Sequence, residues 1–285
     1  MTQFLTDQVA IVTGGTSGIG LATVERFVSA GARVMIADIQ DEAGAELVAR
    51  LGDTVAYQRT DVTRESAIAD VVDATVERFG RLDIMFNNAG AQGDPNALLD
   101  IEQEGFEKTL SLLTSSVMFG HKHAARQFRA QGTGGAIIST ASAAAVQGGL
   151  SSVGYTVAKH AVIGVVRQAV AELSPLGIRS NAIVPGVIMS PIMPRTFGIP
   201  DEQAEDFSAF LGEWMARSQP LGRTGTPDDI ARAALFLASE LGEFVTGAVL
   251  PVDGGMTAVN QGTFLADLGT ARAEFERRQA EKSAA

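Results

Sequence analysis

Short apolar runs alternate with helical patterns along this chain from Val9 to Val252, and no other feature restricts the fold as much. The runs are Val9–Thr13, Arg33–Ala37, Val55–Gln58, Leu82–Phe86, Ala136–Thr140, Ile178–Val184 and Val249–Val252. Helical patterns fill the gaps: Leu21–Ala30, Asp41–Leu51, Arg64–Phe79, 102–130, a stretch from Ser151 to Leu173, and another from Thr226. Strand and helix in strict alternation demand a parallel sheet with right-handed helical crossovers. Val9–Thr13 (VAIVT) shows no polar alternation, as a strand covered on both faces requires. The expected fold class is α/β, a doubly wound parallel sheet flanked by helices on both faces. With 285 residues, 46% of them hydrophobic, one large core is affordable, and no repeat or linker divides the chain, so 1–285 reads as a single domain.

The first strand runs into Gly14-Gly15-Thr16-Ser17-Gly18-Ile19-Gly20, and a helix follows, stopped by Gly31. Glycines at 14, 18 and 20 permit a tight turn and close approach of backbone to ligand, and the helix start offers free N–H groups to a pyrophosphate. The spacing is T-G-x-x-x-G-x-G rather than G-x-G-x-x-G, and any tight strand-to-helix turn favours glycine. Its place between strand and helix is what makes it a dinucleotide-binding candidate. Asp38 ends the second strand about 20 residues further on, where an acid binds the adenosine ribose hydroxyls and repels a 2′-phosphate. No arginine or lysine stands at Ser17, Ile39 or Gln40, so the reading is NAD, not NADP. The same carboxylate would equally suit a cap on the Asp41–Leu51 helix. Asp61-Val62 after the third strand has two readings as well, an acceptor for the adenine amino group or a cap on the next helix. Asn87-Asn88-Ala89-Gly90 closes the fourth strand, at the end of the sheet where open α/β folds bind ligands.

The chemistry centres on residues 136–160. A β-branched strand, Ala136–Thr140, ends in small residues that include Ser142, and a glycine-rich loop leads to a helix carrying Tyr155 and Lys159. Residues four apart share a helix face. A fixed ammonium beside a phenol favours the phenolate and lowers a pKa of about 10. Ser142 is placed to hydrogen-bond the oxygen that Tyr155 protonates. Taken alone, a Tyr-x-x-x-Lys pair is more often an ordinary surface pair.

Further on, residues 187–217 break the alternation. Met189, Met193, Phe197, Phe207, Phe210, Trp214 and Met215 make the segment either an apolar lid over a hydrophobic substrate or one extra core helix. Thr226-Pro227-Asp228-Asp229 has the cap, proline and acids of a helix start. The 256–285 extension reads as a charged, frayed helix. The net charge of −11 argues against nucleic-acid and anionic-membrane partners. No run approaches the ~20 apolar residues of a membrane span, and the first residues lack the basic and apolar regions of a secretory signal. Cysteine is absent, which excludes disulfides and thiol catalysis and fits a cytoplasmic location. With no cysteine, and His121 and His123 two apart on a helix, a metal site is not expected.

These motifs together resemble those of the short-chain dehydrogenases/reductases. The similarity covers about residues 5–256 and rests on Thr13-Gly14-x-x-x-Gly18-x-Gly20, Asp61-Val62, Asn87-Asn88-Ala89-Gly90, Ser142, Tyr155-x-x-x-Lys159 and Pro185-Gly186, in the family's order and spacing. The resemblance implies a seven-stranded Rossmann sheet, a nicotinamide cofactor and a homotetramer or homodimer. It implies Tyr155 as general acid/base, Lys159 lowering its pKa and holding the nicotinamide ribose, and Ser142 orienting the substrate oxygen. Asn88, Ala89 and Gly90 would lie along the cofactor, and the Val187 or Ile188 backbone and the Ser190 hydroxyl would meet the carboxamide. One position departs: the family's usual asparagine in the long helix is Leu113 here. Leucine keeps the backbone carbonyl but loses the amide, and Ser111, Thr114 and Ser115 are the polar residues near enough to compensate.

The expected reaction is reversible oxidation of a secondary alcohol to a ketone. The expected substrate wall is apolar: Ala144, Val146, Leu150, Met189, Met193 and Trp214. It suits a bulky or cyclic alcohol such as a terpenoid, a steroid, or an alicyclic or aromatic diol. A NADPH-dependent ketoacyl reductase would want a basic docking surface, and a polyol dehydrogenase a more polar wall. A cofactor-binding protein without turnover is favoured by Leu113 alone.

Overall fold

A computed structural model gives the fold; it describes residues 3–217 and 219–259, with 270–273, 277 and 281. The expected 256–285 helix falls largely outside the described residues. Seven strands appear where the apolar runs lie: β1 Val9–Thr13, β2 Arg33–Asp38, β3 Val55–Arg59, β4 Ile84–Asn87, β5 Gly135–Thr140, β6 Ile178–Pro185 and β7 Val249–Val252. They form one parallel sheet in the order β3-β2-β1-β4-β5-β6-β7. The order reverses between β1 and β4, so the loops leaving those strands diverge and open a crevice at the sheet's carboxyl edge.

The helices are α1 Gly18–Ser29, α2 Asp41–Leu51, α3 Glu65–Phe79, α4 Gln103–Leu110, α5 Ser116–Gln131, α6 Val153–Leu173, α7 Ile192–Thr196, α8 Ala204–Ala216 and α9 Pro227–Ala238. Alternate residues of β1 serve opposite faces, which is why its apolar run is unbroken. Ala10 and Val12 join Val24 and Phe27 of α1 and Ile230 and Leu237 of α9. Val9 and Ile11 join Val71 of α3 and Phe128 of α5. The α9 start is a full capping box: Thr226 and Asp229 exchange side-chain to backbone hydrogen bonds, behind a first-turn proline.

One expectation needs correction. The 102–130 stretch is not one α-helix. A π-helical turn at Ser111–Ser115 separates α4 from α5 and contains the fully buried Leu113. Such a turn adds a residue to the winding and is common at functional sites. Among the described residues no helix is long and apolar enough to cross a membrane.

Candidate active site

The strand ends converge on a cavity of about 910 Å³. At the β1 end, Gly14 has φ +65° and Gly18 φ +52°, conformations that favour glycine. Gly20 serves differently: a Cβ there would lie 1.9 Å from the Gly14 carbonyl oxygen, so it lets α1 close onto the turn. Gly14, Ser17, Gly18 and Ile19 line the cavity, and the first turn of α1 carries no acid to oppose an anion.

Asp38, at the end of β2, is buried yet lines the cavity. Its Oδ2 accepts from Thr16 N at 3.1 Å and from the Thr16 hydroxyl at 2.7 Å. Its Oδ1 accepts from Ile39 N at 2.7 Å and Gln40 N at 3.2 Å. It therefore does not cap α2, whose first turn makes no side-chain cap hydrogen bond. Thr16, expected in direct cofactor contact, instead orients Asp38. Asp61 is no cap for α3 either. Its Oδ1 accepts from Thr63 N at 3.0 Å and the Thr63 hydroxyl at 2.7 Å, which holds its carboxyl below the usual range and keeps it at the cavity edge beside Val62.

The β4 end is tied to its neighbours by hydroxyls. Thr13 Oγ1 accepts from Asn88 N at 2.9 Å and Ala89 N at 3.0 Å, and Thr140 Oγ1 donates to Asn88 Oδ1 at 3.1 Å. This lays Asn88, Ala89 and Gly90 along the cavity. Leu113 backs Gly90 so closely that a Cβ there would meet its Cδ2 at 3.0 Å. From β6 come Pro185, Gly186, Val187, Ile188 and Ser190.

Ser142, Tyr155 and Lys159 meet at one end of the cavity. Ser142 follows β5 in an extended conformation, with its Oγ accepting from Ala144 N at 3.2 Å. The Ser142 hydroxyl lies beside Tyr155, close enough to favour its phenolate. Lys159, one turn along α6, is buried, donates to the Thr140 carbonyl at 2.7 Å and sits 5.7 Å from the Tyr155 ring centroid. Burial lowers the Lys159 ammonium to about 8. The sequence expectation for Tyr155 is reversed here: burial raises its phenol above the ordinary value, and only the Ser142 hydrogen bond works the other way.

The apolar wall also needs correction. Ala144, Leu150 and Met193 line the cavity, but Val146, Met189 and Trp214 do not. Val146 is 44% exposed on the outside of the turn. Met189 turns back against Gly212, with its N–H bonded to the Gly225 carbonyl. Trp214 is 56% exposed, between Phe210 and the Arg217 guanidinium. Helical phase decides this: Leu211 and Met215, four apart on α8, face inward and Trp214 outward. Sequence reading also missed Thr140, whose role is a backbone carbonyl any residue supplies, and Met256, Gln92 and Ser151, which line the cavity without a motif.

His121 is buried and neutral, lowered to about 4 by burial. With the Val117 carbonyl accepting from its Nδ1–H at 2.8 Å, its Nε2 accepts from Ser180 at 2.9 Å, a structural role. His123 pairs with Glu65.

The arrangement is matched elsewhere. A sequence model described as enoyl-(acyl carrier protein) reductase, of the short-chain type, matches residues 14–257. Momilactone A synthase of Oryza sativa subsp. japonica is 45% identical over 260 residues, covering 90% of this chain and 92% of the relative. The 2,5-dichloro-2,5-cyclohexadiene-1,4-diol dehydrogenase of Sphingobium indicum is 40% identical, covering 90% and 99%. The crystal structure of levodione reductase superposes with a TM-score of 0.81 at 34% identity, covering 90% of this chain and all of that one.

Proposed function

The chain belongs to the short-chain dehydrogenase/reductase family, and from that premise we propose that it is an NAD-dependent dehydrogenase of bulky or cyclic hydrophobic secondary alcohols. The family makes it an oxidoreductase acting between secondary alcohol and ketone with a nicotinamide nucleotide. The observation that carries the catalytic assignment is the convergence of Ser142, Tyr155 and Lys159 at one end of a cavity whose other end holds Asp38 and the glycine turn.

The residues fit a dinucleotide. Gly14, Gly18, Asp38, Ile39, Asp61, Val62, Ile188 and Ser190 all line the cavity. Gly14 and Gly18 at the α1 N-terminus would hold the pyrophosphate, Asp38 and Ile39 the adenosine ribose, Asp61 and Val62 the adenine, and Ile188 and Ser190 the carboxamide. When bound, the nicotinamide supplies the hydride acceptor. Ser142 donates a hydrogen bond to the substrate oxygen and fixes its distance from Tyr155. Tyr155, as phenolate, takes the hydroxyl proton. Lys159 stands one turn along α6, 5.7 Å from the Tyr155 ring centroid, where it would hold the nicotinamide ribose, while the Ser142 hydroxyl works against the effect of burial on the phenol. Lys159 is the one cation among the described lining residues, which favours NAD over a 2′-phosphorylated cofactor.

Met193, Phe197, Leu211 and Met215 support a hydrophobic substrate, with the 187–217 segment as its lid. We read 1–285 as one catalytic domain acting in the cytoplasm as a homotetramer or homodimer. Leu113, which would favour a protein without turnover, packs on Gly90 and displaces no catalytic group.

The test is calorimetric titration with NAD and NADP separately, then an alcohol screen with the tighter cofactor. Trp214 faces solvent, so tryptophan quenching is the poorer readout. Tight NAD binding followed by oxidation of cyclic alcohols supports the proposal. Preference for NADP overturns the Asp38 argument, and binding of neither by folded protein overturns the enzyme reading.

A further inference from the structure

Two polar side chains at the substrate end are used by nothing in the mechanism. Gln92 and Ser151 both line the cavity, and among the described residues neither side chain has a hydrogen-bond partner. The fold brings them to one place. Ser152 Oγ donates to the Asp94 carbonyl at 2.7 Å, joining the loop after β4 to the start of α6. Gln92 is two residues before Asp94 and Ser151 one before Ser152, so that bond holds both on the same rim, one turn ahead of Tyr155. The loop cannot drift from there. Asp94 N donates to Thr109 Oγ1 at 2.9 Å, and Gly93, at φ +72°, lies so close to α4 that a Cβ would meet Thr109 at 2.5 Å.

The rest of the substrate end is apolar, including Leu112, Leu150, Phe197, Leu211, Met215 and Met256. Gln92 is exposed at the mouth of the cavity and Ser151 is half-buried. It is therefore chiefly the Ser151 hydroxyl that loses hydration when a purely hydrocarbon ring fills the space, while the Gln92 amide remains free to turn onto a polar group at the rim. A substrate oxygen at that rim restores the lost hydrogen bonds. A site built to bond a substrate oxygen also discriminates strongly against the analogue lacking it.

The geometry points to a substrate with two oxygen functions, a cyclic diol or hydroxyketone, in which one oxygen reacts at Tyr155 and Ser142 and the second is held by Gln92 and Ser151. The inference rests on the secondary-alcohol reading above and narrows it. Gln92 and Ser151 are specificity-determining residues in this assignment, since they touch a part of the substrate that does not react.

The experiment compares initial rates, with NAD, on cyclohexanol and on cyclohexanediols carrying the second hydroxyl on the neighbouring or the opposite carbon. Wild type, Gln92→Leu, Ser151→Ala and the double variant are measured, with NAD affinity as a check on folding. The expected result is a preference in kcat/KM for a diol over cyclohexanol of about tenfold, the value of one retained hydrogen bond. That ratio falls toward one in the double variant, mainly through KM for the diol. A wild type that oxidises all three alike overturns the inference and leaves the alcohol reading standing. A preference that survives the double substitution overturns the assignment to these residues. Turnover of none of the three overturns the alcohol reading, and the inference with it.

Discussion

The hydroxyl of Thr16 donates to Asp38 Oδ2 at 2.7 Å, so the glycine turn itself fixes the carboxylate that ends β2. Each oxygen of Asp38 takes two protein donors, and Gln40 Nε2 in turn donates to Thr16 Oγ1 at 2.8 Å. The group is held rigidly at the β2 end of the cavity, where the adenosine ribose is proposed to bind. A 2′-phosphate placed there meets a fixed negative charge, and Arg59, opposite Asp38 on β3, is committed to Asp41 and the Ile39 carbonyl at 2.7 Å each.

Asp38→Asn keeps the shape and removes the charge. The ratio of NADP to NAD dissociation constants is expected to fall by about tenfold or more, chiefly through tighter NADP binding. Calorimetry on both cofactors checks it; an unchanged ratio removes Asp38 from the argument.

Tyr155→Phe keeps the ring and loses the proton acceptor. Turnover in alcohol oxidation should drop about 10²-fold or more, with NAD affinity little changed. In the wild type, oxidation should speed up as pH rises, because burial holds the phenol protonated above its ordinary range. Retained turnover in the variant would sink the assignment.

Lys159 is buried with its ammonium lowered to about 8 from 10.5. The folded state therefore binds this proton more weakly than the unfolded chain, and the group costs stability below pH 8. That cost is relieved as pH rises from about 8 to 10.5, where the unfolded chain holds the extra proton. Against Lys159→Met, the wild type should gain on the order of 3 kcal/mol across that window. Denaturant unfolding of both proteins at several pH values measures it, and parallel curves refute it. Turnover should be lost in the variant.

Leu113→Ala opens a hole beneath Gly90. We expect a loss of about 2–4 kcal/mol in stability, with weaker NAD binding because the β4 end loses its backing. Unfolding midpoints and cofactor titration decide this. An unaltered NAD affinity would mean that Gly90 is held by Thr13 and Asn88 alone.

Phe197→Ala should raise KM for a bulky cyclic alcohol severalfold and leave NAD binding intact, since Phe197 lines the cavity away from the glycine turn. Equal effects on both ligands would argue against a substrate wall there.

Much of the site could be read before folding was known. Tyr155 and Lys159 lie four apart on one helix, and Gly14, Gly18 and Gly20 sit between a strand and a helix, so local periodicity alone places them. Trp214 shows where such reading stops. Its composition suits an apolar wall, but the choice between it and Met215 depends on how α8 is rotated against the sheet. The pKa of Tyr155 is a second case, since Lys159 predicts a shift downward and burial drives it upward. Burial is a property of the packed molecule, invisible in a four-residue spacing.

By itself the sequence determined the alternation of seven strands with helices, their parallel pairing, the glycine turn between β1 and α1, and the helical spacing of Tyr155 and Lys159. These follow from short-range rules of periodicity and from connections too long for hairpins. Only the tertiary structure decided that Thr16 serves Asp38, that Thr140 serves Lys159 through its carbonyl, that Leu113 lies in a π-turn behind Gly90, and that Gln92 and Ser151 share a rim. Each of these joins residues far apart in the chain or depends on a backbone atom. Their physical cause is the sheet, which brings the ends of separate strands within hydrogen-bonding distance.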